Sequence, residues 1–208
     1  MRPFLVGIAG ASCSGKTELA RSLARQLQDQ ALLFALDHYY VDRSSFSVEA
    51  RAHFNFDHPD SLDSRLLIRD IESLKNNLAV EQPRYSFVTH SRLEDTEPVA
   101  PRPVILVEGL FSLYWPELRD LLDLRVYVET PDDECYARRL RRDVVERGRS
   151  PESIEEQYNK TVRPMSQAYV RPCAAYADLI VSGIMPLQSS VNQTLNAIES
   201  RRINRPSE

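Results

Sequence analysis

Short unbroken apolar runs alternate with amphipathic stretches along most of this chain. Phe4 to Ala9 is continuously apolar apart from Gly7 and reads as a strand, while Lys16 to Gln28 carries Leu19, Leu23 and Leu27 on one helical face. Ala31 to Leu36 reads as a buried strand with Asp37 at its carboxyl end. Leu62 to Leu78 has helical spacing, with Leu66, Leu67, Ile71 and Leu74 inward and Asp63 or Ser64 as cap. From Val80 to Val99, prolines, aromatics and short β-type runs predict a hairpin or small sheet. Pro101-Arg102-Pro103 then precedes Val104 to Val107, an aliphatic strand of the kind buried on both faces. Leu124 to Val128 predicts another strand, followed by a charged helix from about Asp132 and a helix over Ile154 to Tyr169 that breaks near Pro164. Leu179 to Val181 and Val191 to Ile198 close the pattern as strand and helix, and Arg201 to Glu208 reads as a frayed tail. Such alternation predicts an α/β fold, a parallel sheet with helices on both faces.

Composition narrows this picture. A chain of 208 residues, 42% apolar, suits one domain over residues 1–208 with a substantial core. A formal charge of −4 gives no overall basic field, which argues against nucleic acid as partner and makes any anion site local. No run approaches the eighteen apolar residues of a membrane span, and the N-terminal run is too short for a signal peptide. Cys13, Cys135 and Cys173 are widely spaced and suit the reducing cytoplasm, although Cys13 is notable as a thiol in a loop that binds anions. No His/Cys group has zinc spacing and no Gly-x-Ser-x-Gly nucleophile motif occurs.

The chemistry begins at Gly10-Ala11-Ser12-Cys13-Ser14-Gly15-Lys16-Thr17, which fits Gly-x-x-x-x-Gly-Lys-Thr. Average residue usage yields this string by chance in roughly one chain of this length in a hundred. Placed between a strand and a helix, it aims backbone N–H groups and a positive helix end at one point, where a phosphate binds. Lys16 reaches the β and γ phosphates of a nucleotide, and the Thr17 hydroxyl joins the shell of Mg²⁺. Glu108, which ends the aliphatic strand, is placed to hold that metal directly or through water. Asp37 lies where open parallel sheets bind ligands, and its carboxylate suits a proton acceptor for a hydroxyl.

Two further groups are less decisive from the residues alone. Arg138, Arg139, Arg141, Arg142, Arg147 and Arg149 concentrate guanidinium forks around Gly148, either as a mobile phosphate-binding lid or as a solvated face interleaved with Glu134, Asp143 and Glu146. The segments from Asn55 to Asp60 and from Pro83 to His90 mix aromatics with hydrogen-bonding groups, as a base-and-sugar site or a pair of polar loops would.

Taken in order, these segments resemble the uridine kinase (uridine–cytidine kinase) family of P-loop kinases from Gly7 to about Val181. The motifs that carry the resemblance are residues 10–17, Asp37-His38-Tyr39-Tyr40, Asn55-Phe56-Asp57-His58-Pro59-Asp60, Tyr85-Ser86-Phe87-Val88-Thr89-His90-Ser91-Arg92, Ile105-Leu106-Val107-Glu108-Gly109, Arg139 to Arg149, and Tyr176-Ala177-Asp178. The resemblance implies a three-layer P-loop domain with a β-hairpin nucleoside-binding subregion near 80–100 and an Arg-rich helical lid near 132–160. It implies phosphorylation of the 5′-hydroxyl of uridine and cytidine by ATP or GTP with Mg²⁺, a step of pyrimidine salvage. On this resemblance Asp37 is the general base, Tyr40 lies in the pocket, Asp57 binds the ribose hydroxyls, Tyr85 and His90 face the base, and Phe87 lines the site. Arg139, Arg149 and Gln157 complete the nucleoside site, while Arg142 and Arg147 reach phosphates. The family resemblance further implies a tetramer inhibited by UTP or CTP.

The chain departs from the family pattern in three places. His38-Tyr39 stands for the usual Ser-Phe, Ser86 for an aspartate, and Ser182-Gly183 for Pro-x-Gly, so no adenine contacts are assigned near residue 183. Alternative readings are a sister kinase, such as a phosphoribulokinase or pantothenate kinase, and a nucleotide-gated regulatory module that needs no acceptor pocket.

Overall fold

The computed structural model describes residues 2–47, 50–51 and 54–204. The expected frayed tail lies partly outside these: nothing past residue 204 is described. Among the described residues, seven strands and the main α-helices run in chain order as β1 (Phe4–Gly10), α1 (Lys16–Leu27), β2 (Ala31–Ala35), α2 (Ser64–Lys75), β3 (Val80–Ser86), β4 (Ser91–Val99), β5 (Val104–Glu108), α3 (Pro116–Leu121), β6 (Leu124–Glu129), α4 (Asp132–Arg147), α5 (Pro151–Gln157), β7 (Leu179–Ser182) and α6 (Leu187–Ile203). Five of the strands form a parallel sheet in the order β2-β5-β1-β6-β7. β3 and β4 pair antiparallel as a separate hairpin with a register shift between Pro83 and Tyr85.

Period-two alternation divides the two cores. Leu5 and Ala9 of β1, with Ile105 and Val107 of β5, face the layer containing Leu67, Ile71 and Leu74 of α2. Phe4, Val6 and Ile8, with Val104 and Leu106, face Leu19 and Leu23 of α1 and Val191 and Ile198 of α6. These leucines and isoleucines of α1 and α2 are essentially inaccessible to water, each contributing about 2 kcal/mol from burial. α2 starts where its cap dictates, since the Asp63 carboxylate accepts the Leu66 N–H. Leu66 itself is only partly buried, packed at the edge of that core.

Two local expectations change in the folded chain, and one short helix goes unpredicted. β2 ends at Ala35, and Leu36 to Tyr39 form a 3₁₀ turn that carries Asp37 beyond the sheet. The helix expected to break at Pro164 continues instead through two π-helical turns, Tyr158–Val162 and Ser166–Val170, on either side of Arg163–Met165. A proline ring crowds the carbonyl four residues earlier, and widened turns relieve that clash without ending the helix. The short α3, opened by Pro116 at its first turn, has too few residues to show a period.

Candidate active site

Parallel register brings the chemistry together at the carboxyl rim of the sheet. Glu108 pairs with Ile8 of β1 on one side and Ala35 of β2 on the other, so it lies beside both the phosphate loop and the turn bearing Asp37. The loop from Gly10 to Thr17 is shaped by residues in the left-handed region, Cys13 at φ 64° and Gly15 at φ 99°, before α1 opens at Lys16. A Cβ at Gly10 would stand 2.6 Å from Ser14 Oγ and 2.8 Å from the Val128 carbonyl, so only glycine fits where β1 leaves the sheet. Thr130 Oγ1 donates to the Ser14 carbonyl at 2.9 Å and fixes the loop to the end of β6.

Lys16 and Thr17 meet Glu108. Thr17 Oγ1 donates to Glu108 Oε1 at 2.8 Å, and Lys16 Nζ stands 3.9 Å from the same oxygen. Burial raises the Glu108 carboxyl pKa, opposed by Lys16. A hydroxyl and a carboxylate are hard oxygen donors of the kind Mg²⁺ takes while keeping most of its water, so this pair fits that ion.

Asp37 is open to solvent at the cleft mouth, yet protein packs so densely around it that desolvation raises its pKa, against the pull of Lys16, Arg147 and Arg142. Asp57, half-buried, is raised by desolvation too, against Arg139, Lys16 and Arg142. Two carboxylates and four cations therefore share one cleft, and Asp37 and Asp57 feel each other's charge. Tyr40 packs between the halves: its ring lies 5.0 Å from Tyr85, 5.6 Å from Phe56 and 6.4 Å from Phe87. Burial holds the Tyr40 phenol protonated well above its usual range and pushes Tyr85 up to about 12. His90, in the hairpin turn at φ 50°, stacks on Phe56 at 5.0 Å. Its pKa is lowered by burial and by Arg147 and Arg51, which favours the neutral imidazole. Phe87 keeps about half its surface exposed at the outer margin of the cluster.

The arginines separate into distinct positions. Arg139 is buried, donating to Ser12 Oγ at 3.1 Å and to Gln157 Oε1 at 3.0 Å. Arg149 donates to the same Gln157 oxygen at 2.6 Å. Arg142 and Arg147 gather at Asp143, at 2.8 Å and 3.5 Å from Oδ1. Arg138 braces the loop from outside: it pairs with Glu134, donates to the Gly183 carbonyl at 2.9 Å and to the Ser14 carbonyl at 3.5 Å, joining α4 to the segment after β7 and to the phosphate loop. Gly148 adopts φ 62° and caps α4, turning Arg149 back over the helix end.

The residues designated from the sequence thus lie in the phosphate loop, at the carboxyl rim, in the hairpin cluster and the segment around Asp57, along α4 and its end, and, for Gln157, at the end of α5. Four useful residues went undesignated. Phe56 sat in a quoted motif without a role, and Asp143 passed for a solvated charge although its i±4 spacing to Arg139 and Arg147 was legible. Thr130 has no sequence signal, and Arg92 closes the motif from Tyr85 without a role of its own. Arg92 donates to the Tyr40 carbonyl at 2.8 Å and the Tyr39 carbonyl at 3.2 Å, and pairs with Asp63, tying the hairpin to the turn that carries Asp37. A separate groove of about 430 Å³, lined by Arg65, Ile68, Arg69 and Trp115 among others, contains none of these residues.

A strand-loop-helix phosphate cradle, a lysine and threonine at a rim carboxylate, and an adjoining pocket define a P-loop kinase. Residues 5–188 match the model of the phosphoribulokinase / uridine kinase family. The chain is 46% identical over 182 residues to the uridine kinase of Chloroflexus aurantiacus (strain J-10-fl), covering 87% of each. It is 44% identical over 182 residues to that of Escherichia coli K12, covering 85% of each. In three dimensions it is similar to phosphoribulokinase from Rhodobacter spheroides, with a TM-score of 0.67 and 14% identity over 87% of this chain and 70% of that one. The chain belongs to the phosphoribulokinase / uridine kinase family.

Proposed function

We propose that this kinase transfers the γ-phosphoryl group of ATP or GTP to the 5′-hydroxyl of uridine or cytidine, giving UMP or CMP. The observation that carries the reading is the aromatic cluster of Tyr40, Phe56, Tyr85, Phe87 and His90 standing beside Asp37 and Asp57. A flat heterocycle stacks on such rings, and a carboxylate meets two ribose hydroxyls. The uridine kinase relatives support the same acceptor. A phosphorylated sugar would instead need a second anion site. A gated switch would have no use for the acceptor pocket.

In this mechanism backbone N–H groups of residues 10–17 and Lys16 hold the donor's phosphates, with Arg142 and Arg147 on their outer side. Thr17 and Glu108 would hold Mg²⁺, which would neutralise the charge that develops on the transferred phosphoryl group. Asp57 binds the ribose hydroxyls, Tyr85, Phe87 and His90 hold the base, and Arg139, Arg149 and Gln157 close the nucleoside side. Asp37 orients the 5′-hydroxyl and accepts its proton as the bond to phosphorus forms; because the transition state is loose, a carboxylate is base enough. The single-domain extent over residues 1–208, the closing motion of residues 132–160, a cytoplasmic location and tetrameric assembly belong to the same proposal.

The test incubates purified protein and Mg²⁺ with ATP or GTP and a panel of nucleosides, and resolves products chromatographically. UMP and CMP are expected. Inorganic phosphate with unchanged nucleoside overturns the reading in favour of a switch, and phosphorylation of a non-nucleoside alcohol overturns it in favour of a sister kinase.

A further inference from the structure

One residue between the two halves of the cleft takes no part in that mechanism. Asp143 is completely buried and meets four guanidinium groups. Its two oxygens divide them. Oδ1 takes Arg142 at 2.8 Å and Arg147 at 3.5 Å, the pair assigned to donor phosphates. Oδ2 takes Arg139 at 3.6 Å and Arg149 at 3.5 Å, the pair assigned to the nucleoside side, which also share Gln157 Oε1. Arg139 extends the chain of contacts to Ser12 in the phosphate loop.

The arrangement has a local reason. Arg139 and Arg147 are one helical turn before and after Asp143, so both lie on its face. The left-handed Gly148 then reverses the chain, and the Arg149 N–H donates to the Asp143 carbonyl at 3.1 Å. That returns a fourth guanidinium to the same carboxylate. One negative charge against four positive ones leaves a surplus of cation facing the cleft, and no oxygen of Asp143 is free to move independently of the other. The Arg139 Nε and the Asp143 Oδ2 are buried without a hydrogen bond of normal length, so the Oδ2 half is held more loosely than the Oδ1 half and has room to tighten.

From this geometry we infer that Asp143 is a positioning residue that couples the donor and acceptor sites. When nucleoside draws Arg139 and Arg149, the rigid carboxylate shifts with them and carries Arg142 and Arg147 toward the phosphates. Coupling between sites is reciprocal, so the donor tightens nucleoside binding by the same factor. The inference rests on the proposed assignment of the two arginine pairs. An electrostatic role alone predicts something different: Asp143→Asn would leave the arginines more positive and simply tighten nucleotide.

The experiment measures the dissociation constant of AMP-PNP with Mg²⁺ by calorimetry, with and without saturating uridine, for the full-length parent, Asp143→Asn and Arg149→Gln. Uridine is expected to tighten AMP-PNP by about fivefold or more in the parent, and by less than about twofold in either variant, with the reverse titration giving the same factors. A parent factor near one, or an undiminished factor in Asp143→Asn, overturns the proposal. If Asp143→Asn does not fold, Arg149→Gln decides, because it cuts only the Oδ2 side; retained coupling there overturns the proposal as well. Parent protein that makes no UMP removes the functional reading and this coupling together. UMP formation with coupling indifferent to Asp143 removes the coupling alone.

Discussion

Asp37 combines opposing demands on one side chain. Its pKa is raised by desolvation although Lys16, Arg147 and Arg142 pull it down. A carboxyl whose pKa rises on folding binds more protons folded than unfolded, so stability falls as pH rises through the interval between the two values. Above that interval the ionised Asp37 is therefore a burden on the fold. Asp37→Asn is expected to lower kcat by about 10²–10⁴-fold, leave AMP-PNP affinity within about twofold, and raise the Tm slightly, since solvent at the cleft mouth screens the charge. Stopped assays, calorimetry and a thermal melt check the three; activity equal to the parent contradicts the base assignment. The same shift moves the acid limb of kcat/KM in the parent upward from the ordinary aspartate value of 3.8. His90 serves a different end. Stacked on Phe56 with its pKa lowered, it would, on the proposed function, offer a ring nitrogen to a base edge, so His90→Ala should raise the KM for uridine about tenfold or more while the KM for ATP changes little. Unchanged constants for both pyrimidine nucleosides reject that role.

Among elements, the contact between the segment after β7 and the phosphate loop is the tightest. A Cβ on Gly183 would stand 2.0 Å from Thr130 Oγ1 and 2.2 Å from the Ser14 carbonyl, both rigidly held atoms. Gly183→Ala must therefore push the loop that holds phosphate, and a rise of about tenfold or more in the KM for ATP is expected, because a displacement of a few tenths of an ångström misaims several N–H donors at once. Kinetics identical to the parent would mean that β7 yields instead. Gly148 provides the contrast, since nothing lies within 4 Å of its Cβ position and its φ of 62° alone requires glycine. The hairpin depends on side chains for its attachment: through Arg92 and Asp63, the N-cap of α2 is also the anchor of the nucleoside-side aromatics.

At the scale of the whole molecule, a chain of net charge −4 concentrates Lys16, Arg139, Arg142, Arg147 and Arg149 around one cleft. Steering of a polyanion to that cleft is screened by salt, whereas capture of a neutral nucleoside is not. Raising ionic strength from about 0.05 to 0.5 M shortens the screening length roughly threefold, and should raise the KM for ATP several-fold more than the KM for uridine; parallel changes in both would count against a charge-led donor site. The strands, their order along the chain and the phosphate loop were legible in the sequence because period and glycine placement act over a few residues. Lys16 and Thr17 were legible from the loop motif and Glu108 from a strand end whose position the sheet fixes, whereas the turn that carries Asp37 past the end of β2 was not. The sequence by itself determined this alternating sheet-and-helix architecture and the anion-binding loop, through burial and backbone conformation. Tertiary structure decided that Pro164 would be absorbed in π turns, that Arg138 would brace the phosphate loop and the segment after β7 while Arg139 entered the cleft, and that Asp143 would be completely buried among its four arginines. The fate of Pro164 turns on a backbone clash relieved inside a packed helix, and that of the arginines on which groups approach α4 from elements distant in sequence; the spacing of Asp143 to Arg139 and Arg147 is local, but its complete burial is not encoded there.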